Sequence, residues 1–172
     1  MPNWCNNYLK LEGPQGLIDR AKSAIERDEF CNEFFSIPGE LRDTISPTQP
    51  EAVAKAEALI EKYGYADWYS FCIGEWGTKW DINGGVIQEE GPGYIIASFD
   101  TAWSPPIALI EKLEGHGFDS VVLDYVEYGM NFVGRWDNGN DEVYEIDEDV
   151  PEDMDELWGI TEMLADREEN DE

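Results

Sequence analysis

The order in which strand-like and helix-like patterns follow one another is the feature that most constrains the fold of this chain. Alternating apolar and polar residues predict a strand, and apolar residues three or four positions apart predict a helix. Read in order, the patterns give strand, helix, an irregular stretch, two strands, helix and strand. The segments are 8–12, 17–27, 81–89, 94–101, 105–115 and 120–128. That order predicts an α+β fold, the ferredoxin-like split βαβ sandwich.

Two regions fall outside this core. The regular pattern is lost from Phe30 to Pro50, and Pro50 then opens a helix that ends at Gly64, so we expect a helical insert at about residues 30–80. After the last core strand, 132–136 and 142–146 predict a hairpin, and Pro151 opens an acidic helix with an apolar stripe. We therefore divide the chain into a ferredoxin-like domain, 1–136, and an acidic C-terminal extension, 137–172, packed on it or trailing from it.

The net charge limits which partners the protein can have. The chain of 172 residues carries 39 acids, 11 bases and a formal net charge of −28. Nucleic-acid binding depends on neutralising phosphates, so we expect no direct contact with nucleic acid or with an anionic membrane surface. The sequence has no apolar run long enough to cross a membrane and no secretory signal at its first residues, and we expect a cytoplasmic protein.

Catalytic and metal chemistry receive little support from the residue types. The three cysteines form no CxxC pair, and His116 is the single histidine, so a cysteine nucleophile would lack a general base. Asp137–Asp141 resembles the start of a calcium loop, but Gly139 and Glu142 occupy positions where that loop needs an oxygen ligand and a glycine. We predict no enzyme activity, no catalytic residue, no metal and no cofactor.

Three short blocks concentrate tryptophan, asparagine and glycine: MPNWCNN at 1–7, WGTKWD at 76–81 and TAWSPP at 101–106. Strands 1 and 3 of the predicted fold are neighbours, so residues of the blocks can converge. One interpretation is a site for a small polar ligand or a peptide. The other is architecture, in which the polar groups bond the backbone of the insert and Lys79 pairs with Asp81 or Asp100. The candidate binding residues are Asn6, Asn7, Trp76, Thr78, Lys79, Trp80, Asp81, Thr101 and Trp103.

These three blocks resemble those of the YubB-type family, whose members have a ferredoxin-like domain. The resemblance covers about residues 1–136. It implies a ferredoxin-like core and a protein carried by a phage or a plasmid. It supplies no catalytic residues, because none is assigned in that family.

The charge is concentrated at the C-terminus. Residues 137–172 hold seventeen acids and one base. A single helix over residues 151–172 would be about 33 Å long and carry about one net charge per 3.7 Å, close to the phosphate spacing of one DNA strand, about 3.4 Å. Such a face can mimic DNA, although a solvated acidic helix has similar charge density. The candidate partner surface is Glu152, Asp153, Asp155, Glu156, Glu162, Asp166, Glu168 and Glu169.

The leading functional hypothesis is therefore a non-enzymatic phage or plasmid accessory protein. It would bind and block a basic, nucleic-acid-binding protein of the host or of the phage through an acidic, DNA-mimicking surface. The alternative is a small-ligand or peptide binding module built on the three blocks, and the third hypothesis is an enzyme of unknown reaction.

Overall fold

A computed structural model describes residues 2–170, and side chains as far as Glu168. Its strands are β1 (Trp4–Glu12), β2 (Asn83–Gly91), β3 (Tyr94–Ala102), β4 (Ser120–Glu127), β5 (Phe132–Asp137) and β6 (Asn140–Glu145). Its α-helices are α1 (Gln15–Glu26), α2 (Phe30–Phe34), α3 (Gly39–Arg42), α4 (Val53–Tyr63), α5 (Trp68–Glu75), α6 (Ile107–Leu113), α7 (Glu152–Trp158) and α8 (Ile160–Asn170). None of the helices in this part of the chain is both long enough and apolar enough to span a membrane.

The six strands form one antiparallel sheet in the order β2-β3-β1-β4-β5-β6. The first four strands, with α1 and α6 as the crossover helices, have the order of a split βαβ unit, which confirms the predicted ferredoxin-like α+β fold. Strand β1 lies in the middle and pairs with β3 and β4 over most of its length. Its alternate residues Cys5, Asn7, Leu9 and Leu11 are buried on one face, as a half-covered strand requires.

The insert between α1 and β2 packs on the helical face of the sheet. Phe30, Phe34, Phe71 and Trp76 belong to the same buried cluster as Leu9 of β1. The insert is therefore a part of the main core, and its short helices are stabilised by that burial since none of them is long enough to be stable alone.

The extension continues the sheet instead of forming a separate unit. The predicted boundary at residue 136 falls inside β5, which pairs with β4 on one side and β6 on the other. Strands β5 and β6 are joined by Asn138 and Gly139, both with positive φ, the conformation that a two-residue hairpin needs. The division into 1–136 and 137–172 therefore needs correction, because one sheet runs across it.

The predicted single acidic helix is also wrong. It divides at Gly159, whose φ of +62° ends α7, and α8 begins at the next residue. Both helices cover the face of β4 and β5 that points away from α1 and α6. Met154 and Ile160 pack there on Val126 and Val133. Each of the two helices thus has an apolar side held on the sheet and an acidic side facing solvent.

This packing predicts that Ile160→Ala destabilises the protein by about 2–4 kcal/mol, because Ile160 is 2% exposed and its removal leaves a cavity against the sheet. Urea unfolding with an unchanged m value would measure the loss. Leu157→Ala is the matched control, since Leu157 is 38% exposed and its truncation should cost less than about 1 kcal/mol. Equal losses at the two positions would show that α8 does not pack on the sheet.

Candidate functional site

The three sequence blocks meet at one end of the sheet. Trp4 pairs with Ala102 across β1 and β3, and Asn6 pairs with Asp100. The Asn6 amide donates to Asp100 Oδ1 over 2.7 Å. The segment 76–81 lies beside them, because the Thr78 hydroxyl donates to the Ala102 carbonyl at 3.1 Å. The backbones of the three blocks therefore lie together, as the sequence analysis expected.

Several of the candidate side chains serve as internal architecture. Asn7 is buried and its Nδ2 donates to the Cys5 carbonyl and to Thr101 Oγ1, both at 2.9 Å. The Thr101 hydroxyl in turn donates to the Ser104 carbonyl at 2.7 Å. Trp76 is buried, and its indole N–H donates to the Phe35 carbonyl at 2.8 Å. These groups fix the strand ends and the insert, and they do not face solvent.

Asp81 is the one acid of the three blocks, and both of its carboxylate oxygens are hydrogen-bonded. Its two oxygens accept from the backbone N–H groups of Cys31 and Asn32, each at 2.8 Å, and Oδ1 also accepts from the N–H of Ile82. It therefore caps the start of α2 from a position just before β2. Burial raises the pKa of this carboxyl above its usual value, while the backbone donors act in the opposite direction.

Lys79 does not form the predicted ion pair with Asp81 or Asp100. Its Nζ lies 4.7 Å from the centroid of the Trp80 ring and 5.8 Å from that of Tyr69. A lysine held over aromatic faces keeps its charge available, because the rings supply only a weak attraction. The prediction that Asp81 begins β2 is wrong as well, since the strand starts at Asn83.

A cleft opens where the insert meets the segment 76–81, and we call it the motif cleft. It is a shallow, solvent-open depression of about 330 Å³, bordered by α2, α3 and α5. Of the nine candidate binding residues, Trp76, Lys79, Trp80 and Asp81 line it. Its other lining residues are Asp28, Glu29, Asn32, Ile37, Arg42, Trp68 and Cys72. Sequence reasoning missed all of these, because the pattern of the insert did not show which of its side chains would meet the segment 76–81.

Two of the candidate tryptophans, Trp80 and Trp103, are exposed to solvent. Trp80 is 40% exposed, and its ring centroid lies 6.4 Å from that of Trp4. Trp103 is 44% exposed but does not line the cleft, and its φ of +72° is rare for a bulky residue. Its backbone N–H donates to the Asn3 carbonyl, which holds this strained position at the end of β3.

The predicted acidic partner surface is only partly free for a partner. Arg135 pairs with both Asp124 and Asp153. Asp155 accepts from the Thr161 hydroxyl and N–H, each at 2.7 Å, and the hydroxyl lowers the pKa of its carboxyl most. The Glu169 side chain lies outside the described side chains. Glu152, Glu156, Glu162, Asp166 and Glu168 are exposed on α7 and α8, and Asp166 also takes part in an interaction within the protein.

Strand β6 and the segment after it add acids that the residue-level prediction omitted. Glu145, Asp147, Glu148 and Asp149 are all exposed. We use the name acidic face for the exposed acids of β6, residues 147–149, α7 and α8. Its signal was present in the sequence as the charge excess that begins at residue 137, although its extent depends on how the extension folds.

The cysteine thiols are held in their protonated form. Cys5, Cys31 and Cys72 are buried, and burial raises the pKa of each thiol, that of Cys72 to about 12. All three thiols are therefore protonated at neutral pH, whereas the reactive form of cysteine is the thiolate. Between residues 2 and 170, no group of three His, Cys, Asp or Glu side chains is arranged to hold a metal ion.

Comparison with known proteins does not place the chain in a family. No family model matches the chain, and no curated protein matches it. Among solved structures it is similar to the crystal structure of a protein api92 from Yersinia pseudotuberculosis, which carries the family designation DUF1281. The identity is 10%, the match covers 88% of this chain and 100% of that one, and the TM-score is 0.49. A likeness this distant carries no argument about function, and the resemblance to the YubB-type family stays a prediction.

The bonds of Asp81 predict that Asp81→Ala lowers stability by about 1–3 kcal/mol, because it leaves two backbone N–H groups at the start of α2 without their acceptor. Thermal or urea unfolding measures this loss. Asp43→Ala is the control, since Asp43 is an exposed acid of the same insert and its removal should change stability by less than about 0.5 kcal/mol. A melting curve unchanged by Asp81→Ala would instead place Asp81 in a ligand site.

The pKa shifts of Asp81 and Asp155 predict opposite dependences on pH. The folded pKa of Asp81 is raised above 3.8, so the folded state takes up its proton at a higher pH than the unfolded chain. Its contribution to stability therefore grows as the pH falls through the raised pKa. The folded pKa of Asp155 is lowered below 3.8, so its contribution is present above pH 3.8 and is lost on further acidification.

Urea unfolding from pH 7 downward should show these signs in the difference between the native protein and each variant. The advantage of the native protein over Asp81→Asn should increase as the pH falls towards 4, because asparagine cannot take up the proton. The advantage over Asp155→Asn should decrease below pH 3.8. Parallel curves for the native protein and both variants would contradict the assignment.

Proposed function

We propose that this protein is a non-enzymatic binding protein that engages a basic protein surface through its acidic face. The observation that carries the proposal is the way in which the extension folds. Met154 and Ile160 anchor α7 and α8 on the sheet, so the acids on the outer sides of these helices have fixed positions. An acidic tail without such an anchor would spread its charge over many conformations.

The charge balance supports a basic partner. Residues 137–172 contain seventeen acids and only one base, Arg167. Its guanidinium donates to the Tyr128 carbonyl over 3.4 Å. Arg135, the cation nearest to the start of α7, is occupied by Asp124 and Asp153. The acids of the face therefore repel one another with little local compensation, and a cationic partner would relieve that repulsion.

The division at Gly159 alters the form of the DNA-mimicry hypothesis. Helices α7 and α8 do not present a straight row of charges along one helix. We infer that any mimicry acts through the whole acidic face, where a strand and two short helices offer carboxylates across a broad surface. Such a surface would compete with nucleic acid for a basic cleft through charge, without reproducing the phosphate spacing of one strand.

The predicted biological setting comes from the resemblance to the YubB-type family. A phage or plasmid accessory protein of this kind would act in the cytoplasm of the host. A restriction enzyme, a CRISPR effector or a transcription factor presents the basic nucleic-acid-binding surface that the acidic face would fit. Blocking such a protein would serve defence evasion or host takeover.

The test compares two variants with equal changes in charge. One variant replaces six exposed glutamates of the acidic face with glutamine, and the other replaces six exposed glutamates in residues 1–136. The first set is Glu145, Glu148, Glu152, Glu156, Glu162 and Glu168. The second set is Glu12, Glu51, Glu57, Glu61, Glu111 and Glu114. Glutamine preserves size and helix propensity, so both variants should fold.

Each form of the protein is immobilised and exposed to host lysate, and the basic proteins that the forms retain are compared. A retained protein is then purified and loaded with DNA, and each form is tested for its ability to release that DNA. We expect the native protein and the control variant to release DNA, and the acidic-face variant to need at least about tenfold more protein. The association should weaken as salt rises, since the Debye length falls to about 8 Å at physiological ionic strength. Equal inhibition by both variants would refute the proposal, as would retardation of free DNA by the native protein.

A further inference from the structure

We propose that the motif cleft binds a small organic anion that carries a flat ring, such as a mononucleotide or an aromatic carboxylate. This site is separate from the acidic face and does not depend on the function proposed for it. The proposal stands on the charge, the ring surface and the size of the cleft. Each of these is an observation on the residues that line it.

The acids at the cleft are already engaged by the protein. Both oxygens of Asp81 accept from backbone N–H groups. Asp28 Oδ1 accepts from the N–H of Gly85 at 2.7 Å. Glu29 pairs with Arg27 at 3.1 Å. These carboxylates therefore have partners within the protein, and fewer of their oxygen lone pairs remain to bind a cation in the cleft.

The two bases of the cleft, Arg42 and Lys79, are less engaged by the protein than its acids are. Arg42 donates from Nη2 to Asn32 Oδ1 at 3.2 Å, and Lys79 lies over the Trp80 ring. Within the described part of the chain, no carboxylate lies within ion-pair distance of either base. The lining of the cleft holds these two bases and the three acids Asp28, Glu29 and Asp81, so an anion would be bound by direct contact with Arg42 and Lys79 and not by a net positive charge of the cleft. A guanidinium has five N–H donors, and a single bond to Asn32 leaves most of them for an anion.

The aromatic residues supply the surface for a ring. Trp80 leaves 40% of its surface exposed at the cleft, and Trp68 is half-buried in the wall. Indole faces bind flat rings by stacking, and a lysine beside the same indole brings a positive charge within reach of an acidic group on that ring. The combination selects a ligand in which ring and anion are close together.

The size of the cleft restricts the ligand further. Its volume of about 330 Å³ lies near the lower end of the range of about 300–1,000 Å³ for small-molecule sites. One ring or a fused pair with a single anionic group fits that space. An oligonucleotide does not, and the net charge of −28 would repel it.

The experiment follows the indole N–H signals of the uniformly ¹⁵N-labelled full chain by NMR at constant ionic strength. The Trp80 signal is assigned with Trp80→Phe. The probes are adenosine 5′-monophosphate, indole-3-acetate and adenosine, which separate phosphate, carboxylate and an uncharged ring. We expect at least one anionic probe to shift the Trp80 signal with a dissociation constant on the order of 0.1–1 mM, and adenosine to bind about tenfold more weakly or not at all.

Variants then test the two cations. Lys79→Gln and Arg42→Gln should each weaken binding about tenfold. Lys55→Gln is the matched control, because Lys55 is an exposed lysine of the same insert that also lacks an ion pair among the described residues, and it lies outside the cleft. All these changes are at positions not fully buried, so the melting temperature should stay within a few degrees and confirm folding.

Three results would overturn the proposal. The first is an unchanged Trp80 signal with both anionic probes at about 10 mM, a concentration at which even a weak site would fill. The second is equal affinity for adenosine and its monophosphate, which would mean that the charge has no role. The third is equal binding by the native protein and by the Lys79 and Arg42 variants.

Discussion

The Asp81 carboxylate holds together the parts on which the candidate site depends. It accepts hydrogen bonds from residues 31 and 32 at the start of the insert and from residue 82 at its end. One side chain thereby closes a loop of about fifty residues, whose closure would otherwise cost entropy that grows slowly with its length. Because the bond is made at both ends, the insert and the beginning of β2 keep a fixed relation, and the motif cleft lies directly beside that junction.

The two faces of the sheet are covered by different parts of the chain. Its helical face carries the crossover helices and the insert, and the opposite face is covered over β4 and β5 by α7 and α8. The acidic extension therefore contributes to the core through its apolar residues while its carboxylates remain outside. This arrangement explains how a chain with a net charge of −28 still buries an apolar cluster on each face of its sheet: most of the acids are placed where water solvates them.

Periodicity was enough to predict the core strands, the crossover helices and their order, because long regular segments carry a strong signal. In the insert only the helix that begins at Pro50 gave such a signal, and the pattern did not show that Asn32, Arg42 and Trp68 would line the cleft. The three blocks were correctly expected to converge. Their division into buried architecture, such as Asn7 and Thr101, and exposed surface, such as Trp80, depends on tertiary contacts. The break at Gly159 was missed because the apolar stripe continues through it, although a glycine can also end a helix.

The strand β6 is the last strand of the sheet, and one of its sides has no neighbouring strand among the described residues. An open strand of this kind offers backbone donors and acceptors to any other extended chain, including a second copy of the same protein. In β6 the sequence from 140 to 145 contains three acids, and three more follow at 147–149. Two copies approaching edge to edge would bring these carboxylates together, and like charges opposite each other disfavour strand pairing. The acids at this edge thus disfavour the pairing of two copies through β6, an effect that would operate even in the absence of any partner.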